Sequence, residues 1–321
     1  MTRHLDQRLR LAHLRAAEAI AAHGSLLKAS AALGLTQPAL SKTLHEAEEI
    51  VQSKLFDRHS RGVTPTAAGA AFIETARRTL AELRRLDETL DIVGHPGRGA
   101  LALGVLPVAA SGVLPGALTR MRAAHPQIRV RLEQGRTEEL LPLLASGEID
   151  MIVGRLYEPE APDGFEREPL WSEPIALLAR PGHPILALET LDSADLRAYD
   201  LALPTVSQRV GREIEWILQK LGLESTVAYR SNSYDFIREM LIGGDFLSIM
   251  PSLMMAGDLL RGALRLAPLP LPPTQRLAGI IHRAGRAPTP AARAFLDALK
   301  GFVGDLAERG FADITIGNTG L

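Results

Sequence analysis

The chain of 321 residues contains no cysteine, which excludes disulfides, thiolate chemistry and any cysteine-ligated zinc site. Charge of neither sign is in excess: 36 Lys and Arg stand against 37 Asp and Glu, so no overall field draws the chain to nucleic acid. No apolar run reaches the length of a membrane span. The amino-terminal MTRHLDQRLRLAHLRAAEA is charged throughout, without the apolar centre of a secretory signal. A soluble cytoplasmic chain is the expectation. Also missing are a nucleophile elbow, a P-loop and a cluster with metal-ligand spacing. A Gly-x-Gly does occur at residues 97–99, but it precedes a strand instead of following one, which removes the context of a dinucleotide site. His125 and His183 each stand before a proline with no evident partner. No cofactor, metal or catalytic residue is expected.

What is present centres on residues 24–69. SLLKASAAL, residues 25–33, has the small and apolar residues of a short buried helix, with Ser25 as its N-cap. Gly34 ends it. TQPALSKTLHEAEEI then resumes a helical pattern with Thr36 as N-cap and Pro38 in the first turn, where a missing N–H costs nothing. Helix, tight glycine turn and helix make the motif that reads DNA when the second helix has an exposed polar amino-terminal face. That face offers Thr36, Gln37, Ser41 and Lys42. Gln37 and Ser41, four apart, share one side, while Leu40 and Leu44 share another that can be buried. Glutamine can bond two atoms of an adenine edge, serine a base or a phosphate, and lysine a phosphate or a guanine. The competing reading is a helical hairpin whose polar residues merely face solvent. Residues 1–65 carry nine Lys or Arg against six Asp or Glu, and five of the nine His, a slightly basic head on a slightly acidic body.

KLFDR (54–58), HSRGVTPT (59–66) and AAG (67–69) follow. With them the sequence resembles the LysR-type transcriptional regulators. The resemblance rests on Gly24 and Ser25, QPALSK at 37–42, Leu55, Phe56 and Arg58, and Thr64, Thr66, Ala68 and Gly69, in that order. It implies a winged helix-turn-helix in which Ser25, Thr36, Gln37, Pro38, Ser41 and Lys42 meet DNA and a wing at 59–63 sets Arg58 and Arg61 on phosphates. Three positions depart from the family pattern. Ala17 replaces a bulky aromatic, Ala47 replaces the leucine of a Leu-Glu pair whose Glu is kept as Glu48, and Gln52 replaces the glycine after the recognition helix.

Upstream, a helix is expected at about residues 5–23 with Leu11, Leu14, Ala17, Ile20 and Ala21 on one stripe. Downstream, a long helix should run from Thr66 to about Ile92. Ile73, Ala76, Leu80 and Leu83 recur at steps of three and four, Leu90 continues them, and charged residues surround the stripe. This reads as a coiled-coil seam for a second copy, against the alternative that the helix packs inside its own domain. In the resembled family that helix pairs two chains and presents two recognition helices to a two-fold DNA site. GHPGRG at 94–99 then reads as a hinge.

Beyond it the pattern alternates. Strands at 100–105, 127–133 and 149–153 enclose helices at 115–124 and 137–146, which implies a parallel sheet. Strands at 173–179, 226–230 and 246–250 follow with helices at 210–220 and 234–242. A strand at 276–282 returns to the first sheet, a helix closes the chain at 288–303, and the tail from Gly310 should fray. The expected division is a head at 1–65, a dimerisation helix at 66–93, a hinge at 94–99, a two-lobed α/β effector domain like a periplasmic binding protein at 100–305, and a tail at 306–321.

Ligands of open α/β sheets sit at the carboxyl ends of strands. That selects Val108, Ala109 and Ser111 after the first strand, Arg136 and Thr137 after the second, and Arg155 after the third. It also selects Thr205, Val206 and Ser207 in the second half, and Ser248 near the last crossover. The planar fork of arginine suits a carboxylate; each hydroxyl is as readily an N-cap or a solvated loop residue. The family resemblance continues through residues 115–135, 147–160 and 179–186. VGRL-EPE followed by PLWSEPI is similar to the subgroup regulating protocatechuate catabolism and sugar-binding-protein operons. It implies an effector that is a carboxylic acid of aromatic catabolism or a sugar. Val108 stands where related regulators have a hydroxyl, and Arg136 where they have a threonine, with Thr137 beside it.

The expected function is a LysR-type regulator that binds inverted-repeat DNA, assembles as a homo-oligomer, a dimer of dimers, contacts RNA polymerase and answers a small-molecule effector. The rivals are a solute-binding protein, which has no use for the head, and an enzyme, for which the sequence offers no catalytic groups.

Overall fold

The structure, a computed structural model, describes residues 4–59, 62–94, 99–159, 161–205, 209–223, 227–272, 274, 276–311 and 313–314. It divides into two units, residues 1–102 with 141–150 and residues 103–140 with 151–321. In the first, the helix expected at 5–23 is two helices, α1 (Leu5–Arg8) and α2 (Leu11–His23). The chain is extended at Leu9 and Arg10 because the His13 ring accepts a hydrogen bond from the Arg10 N–H (3.1 Å) and caps α2. Leu11 is therefore exposed at the helix start, while Leu14, Ala16, Ala17 and Ile20 are buried. Gly24 and Gly34, both left-handed, set off α3 (Leu26–Ala32) and α4 (Gln37–Val51). Ser25 accepts from the Lys28 N–H and Thr36 from the Ala39 N–H, so both act as N-caps. Leu40, Leu44, Ala47 and Val51 of α4 join Ala17, Ile20, Leu26 and Ala29 in one core.

After α4 come β1 (Phe56–His59) and β2 (Gly62–Pro65), an antiparallel hairpin. Glu48 fixes its entry by accepting from the N–H groups of Leu55 (2.8 Å) and Phe56 (3.4 Å). Gln52, where the family pattern has glycine, ends α4 in the left-handed region at φ 55, the conformation glycine takes without steric cost. Thr66 then donates to the Lys54 carbonyl (2.7 Å) and accepts from the Gly69 N–H (3.0 Å), which starts α5 (Ala67–Gly94).

The seam expected along α5 is divided. Ile73 lies in the core of the head, and Ala76 and Leu80 pack on Leu14 of α2. These three are core residues of their own chain, so for them the alternative to the seam holds. Leu83, Leu86 and Leu90 are 38, 54 and 60% exposed. The exposed apolar surface of α5 thus begins at Leu83 and includes Leu86, which lies off the stripe of Ile73, Ala76, Leu80 and Leu83.

The rest of the chain continues as β3 (Gly99–Val105), α6 (Pro107–Ser111), α7 (Val113–Ala124), β4 (Ile128–Gln134), α8 (Thr137–Ser146), β5 (Met151–Arg155), β6 (Phe165–Ser172) and β7 (Ile175–Ala179). Then follow β8 (Leu201–Pro204), α9 (Arg209–Leu221), β9 (Val227–Ser231), α10 (Tyr234–Gly243), β10 (Ser248–Pro251), α11 (Ala256–Arg261), β11 (Arg265–Ala267), β12 (Leu277–Arg283), α12 (Pro290–Glu308) and β13 (Asp313–Ile314). The first lobe is built on a sheet of order β13-β6-β12-β5-β3-β4. β3 and β5 are parallel as expected, but β12 and β6 run antiparallel, so the sheet is mixed. β13 pairs with β6, so the tail holds a strand where fraying was expected. The second lobe joins an antiparallel β10-β7-β11 sheet to a parallel β8-β9 pair through a bridge between Leu201 and Leu247. Glu173 on the way out and Arg276 on the way back lie side by side, the Glu173 N–H donating to the Arg276 carbonyl (2.8 Å).

Candidate functional site

In the head, the burial of Leu40 and Leu44 turns the other side of α4 outward. Thr36, Gln37, Pro38 and Lys42 are exposed, and Ser25 and Ser41 half-buried. Arg58 reaches over from β1 and donates to Ser41 Oγ (3.1 Å), so the hairpin and the first turns of α4 form one polar face. Lys42 stands 4.0 Å from Glu46 with its side chain 80% exposed, which leaves its ammonium accessible to a phosphate. Thr36 spends a lone pair on its cap but keeps its O–H to donate. Arg61 lies outside the described residues.

In the second unit a cavity of about 340 Å³ opens beside the carboxyl ends of β3 and β5. Of the residues selected by strand ends, Val108, Arg136, Thr137 and Arg155 line it. Tyr157, Arg212, Tyr234 and Arg276 line it too, and the sequence did not single these out. Ala109 is buried beside it. Ser111 donates to the Pro107 carbonyl (3.2 Å) and borders a separate cavity of about 800 Å³ along α7 and α11. Thr205 and Ser248 are not among the lining residues. Ser248 is the first residue of β10, fully buried opposite Leu178, because every residue of that strand faces core. Val206 and Ser207 lie outside the described residues.

The arginines of the cavity differ in their surroundings. Arg136 is exposed and grips Glu139 through Nε (3.0 Å) and Nη2 (2.7 Å). Hydrogen bonds from the Arg136 backbone N–H and side chain hold the Glu139 carboxyl below the usual carboxylate range. Arg155 forms a two-toothed pair with Glu213 of α9, Nη2 to Oε1 at 3.0 Å and Nη1 to Oε2 at 3.1 Å, and lies 5.3 Å over the Tyr157 ring. Arg276, 2% exposed, donates through Nη1 to Glu213 Oε2, and its Nη2 is 3.5 Å from Glu173 Oε2.

Burial, followed by repulsion from Arg155, pushes Arg276 down to about 10. Burial likewise pushes the Glu173 carboxyl up, against the attraction of Arg276 and Arg155. Tyr234 is pushed up to about 12 by burial and then by Tyr157. Glu173 and Arg276 each stand just outside an apolar strand, β7 and β12, where a charge is ordinarily solvated, so nothing local marks them as buried partners.

Among the described residues no group of three or more His, Asp or Glu is placed to hold a metal, and no helix is long and apolar enough to cross a membrane.

Residues 11–70 match the bacterial regulatory helix-turn-helix protein pattern of the lysR family, and residues 94–303 match the LysR substrate binding domain. The chain is 34% identical over 293 residues to the SDS degradation transcriptional activation protein of Pseudomonas sp., covering 88% of this chain and 93% of that one. It is 32% identical over 268 residues to the HTH-type transcriptional regulator GalR of Pseudomonas putida, covering 83% and 67%. The crystal structure of full-length CbnR complexed with its target DNA shares the fold at TM-score 0.63 and 22% identity, covering 92% of this chain and all of that one.

Proposed function

Since the chain belongs to the LysR family of transcriptional regulators, we propose that α4 and β1 read an inverted-repeat operator and that the 340 Å³ cavity holds the effector. The observation that carries the second part is the gathering of four arginines, two tyrosines and Thr137 around one cavity from both lobes. Of the two effector classes, a carboxylic acid of aromatic catabolism or a sugar, the arginines favour the acid. Relatives with different names match at 34% and 32% identity, so the likeness to the protocatechuate and sugar-operon subgroup remains one part of this reading. The family is one of regulators and not of enzymes.

At the operator, Gln37 contributes base readout and Arg58 phosphate contact. Gln37→Ala should weaken the cognate site by about 1–3 kcal/mol and narrow the gap to unrelated DNA. Arg58→Ala should weaken all DNA alike and reduce the slope of log K against log salt by roughly 1. Fluorescence anisotropy over a salt series separates them, and identical behaviour would sink this division of roles.

Two heads are needed for a two-fold operator, and the exposed Leu83, Leu86 and Leu90 of α5 support pairing through that helix. β4 and β9 are edge strands with exposed Leu132 and Tyr229, surfaces that a dimer of dimers would cover. Leu86→Asp should lower the oligomer mass in sedimentation while the head stays folded; an unchanged mass would remove the pairing surface from α5.

A further inference from the structure

Glu213 projects from α9 of the second lobe and its two oxygens take both terminal nitrogens of Arg155, which ends β5 in the first lobe. The same carboxylate also accepts from Arg276 on the returning crossover. A planar guanidinium facing a carboxylate through two parallel hydrogen bonds is how arginine recognises any carboxylate, tethered or free. Arg155 and Arg276 both line the cavity, and the Glu213 side chain that both of them hold is 28% exposed. The chain therefore already fills a carboxylate-binding site with a carboxylate of its own.

We propose that Glu213 is a tethered stand-in for the effector: a carboxylate of the effector displaces it from Arg155 and Arg276. The proposal rests on the cavity being the effector site, and it names the ligand class. An acid can take over the guanidinium fork, whereas a neutral sugar hydroxyl cannot replace an ionised carboxylate there. The exchange also supplies a signal. Glu213 and Arg155 belong to different lobes, so the tie between them is present without effector and absent with it, which is the difference in contacts that a ligand-driven shift requires. A competitor tethered beside the site lowers the apparent affinity of the free ligand; neutralising it should raise that affinity.

The test uses the full chain with Glu213→Ala and Glu213→Gln. Glu213→Ala leaves a space of carboxylate shape beside two guanidiniums. Its melting temperature should fall below wild type and recover saturably with propionate, but not with chloride at equal ionic strength or with galactose. Glu213→Gln keeps the shape without the charge, and calorimetry should show it binding benzoate about tenfold more tightly than wild type does. An equal response of Glu213→Ala to propionate and chloride, or weaker benzoate binding by Glu213→Gln, would overturn the proposal. Operator footprints separate its failure from that of the underlying reading. Rescue by propionate in a protein whose footprint no acid alters would leave the carboxylate site standing and remove its role as effector site. An acid-responsive wild-type footprint without rescue would do the reverse.

Discussion

Gly69→Ala should unfold the head and abolish operator binding while the second unit keeps its own unfolding transition. An ideal Cβ on Gly69 would overlap the Leu55 carbonyl oxygen and stand 2.8 Å from its carbon. The obstacle is backbone, so no rotamer change relieves it. Leu55 cannot retreat, since its N–H donates to Glu48 (2.8 Å), its side chain is buried in the core, and its carbonyl accepts from the Thr66 N–H (3.0 Å). α5 would have to lift away, breaking the two Thr66 side-chain bonds that start it. Overpacking costs about 1–3 kcal/mol where side chains can adjust, and loss of a cap about 1 kcal/mol more. With backbone on both sides the sum should exceed roughly 4 kcal/mol, comparable with the whole stability of a small domain at the low end of the usual range of about 5–15 kcal/mol. Circular dichroism during denaturation and an operator-binding titration read this directly. Wild-type affinity with a midpoint shift worth less than about 1 kcal/mol would show that α5 can move aside.

That glycine shows what a sequence holds and what it withholds. The spacing of Leu40 and Leu44 against Gln37 and Ser41 displays both faces of α4, and Ser25 and Thr36 announce the helix starts, because caps and helix faces are local. Gly69 stood out only as part of a resembling motif; its physical reason is a carbonyl fourteen positions earlier in the chain. α5 marks a second limit. Steps of three and four place Ile73, Ala76, Leu80 and Leu83 on one stripe, but the same stripe serves an intramolecular core at its start and exposed surface further on. The strand-end rule behaved similarly in the second unit. It brought Val108, Arg136, Thr137 and Arg155 to one cavity, yet Ser111 and Ser248 point elsewhere, because the rule selects positions and not directions. Glu173, Glu213 and Arg276 escaped notice for want of local signal. They come together from an outgoing crossover, a helix and a returning crossover up to about a hundred residues apart.

Arg276→Ala should cost the second unit about 3–5 kcal/mol, the range for removing one member of a buried ion pair. Glu213 loses one of two partners but is 28% exposed, so solvent can replace it, whereas Glu173 is fully buried with Arg276 as its strongest favourable charge. A carboxylate stranded there has one escape, which is to keep its proton. The sign follows from that. Burial already holds the folded-state value of Glu173 above its ordinary one, and loss of Arg276 raises it further. The folded variant then binds a proton that the unfolded chain releases, so its stability is greatest below the ordinary carboxylate value and falls as pH rises through the window up to the raised one. The gap between Arg276→Ala and wild type should accordingly widen from acid toward neutral pH. Arg276→Met combined with Glu173→Leu should recover much of the loss at neutral pH, since apolar residues of similar volume replace a buried pair at little cost. Denaturant melts of the wild type, the single variant and the double variant across that pH range measure all three. A penalty below about 1 kcal/mol that does not change with pH would mean that Glu173 is neutral in the folded protein already, and that Arg276 serves the cavity through Glu213 alone.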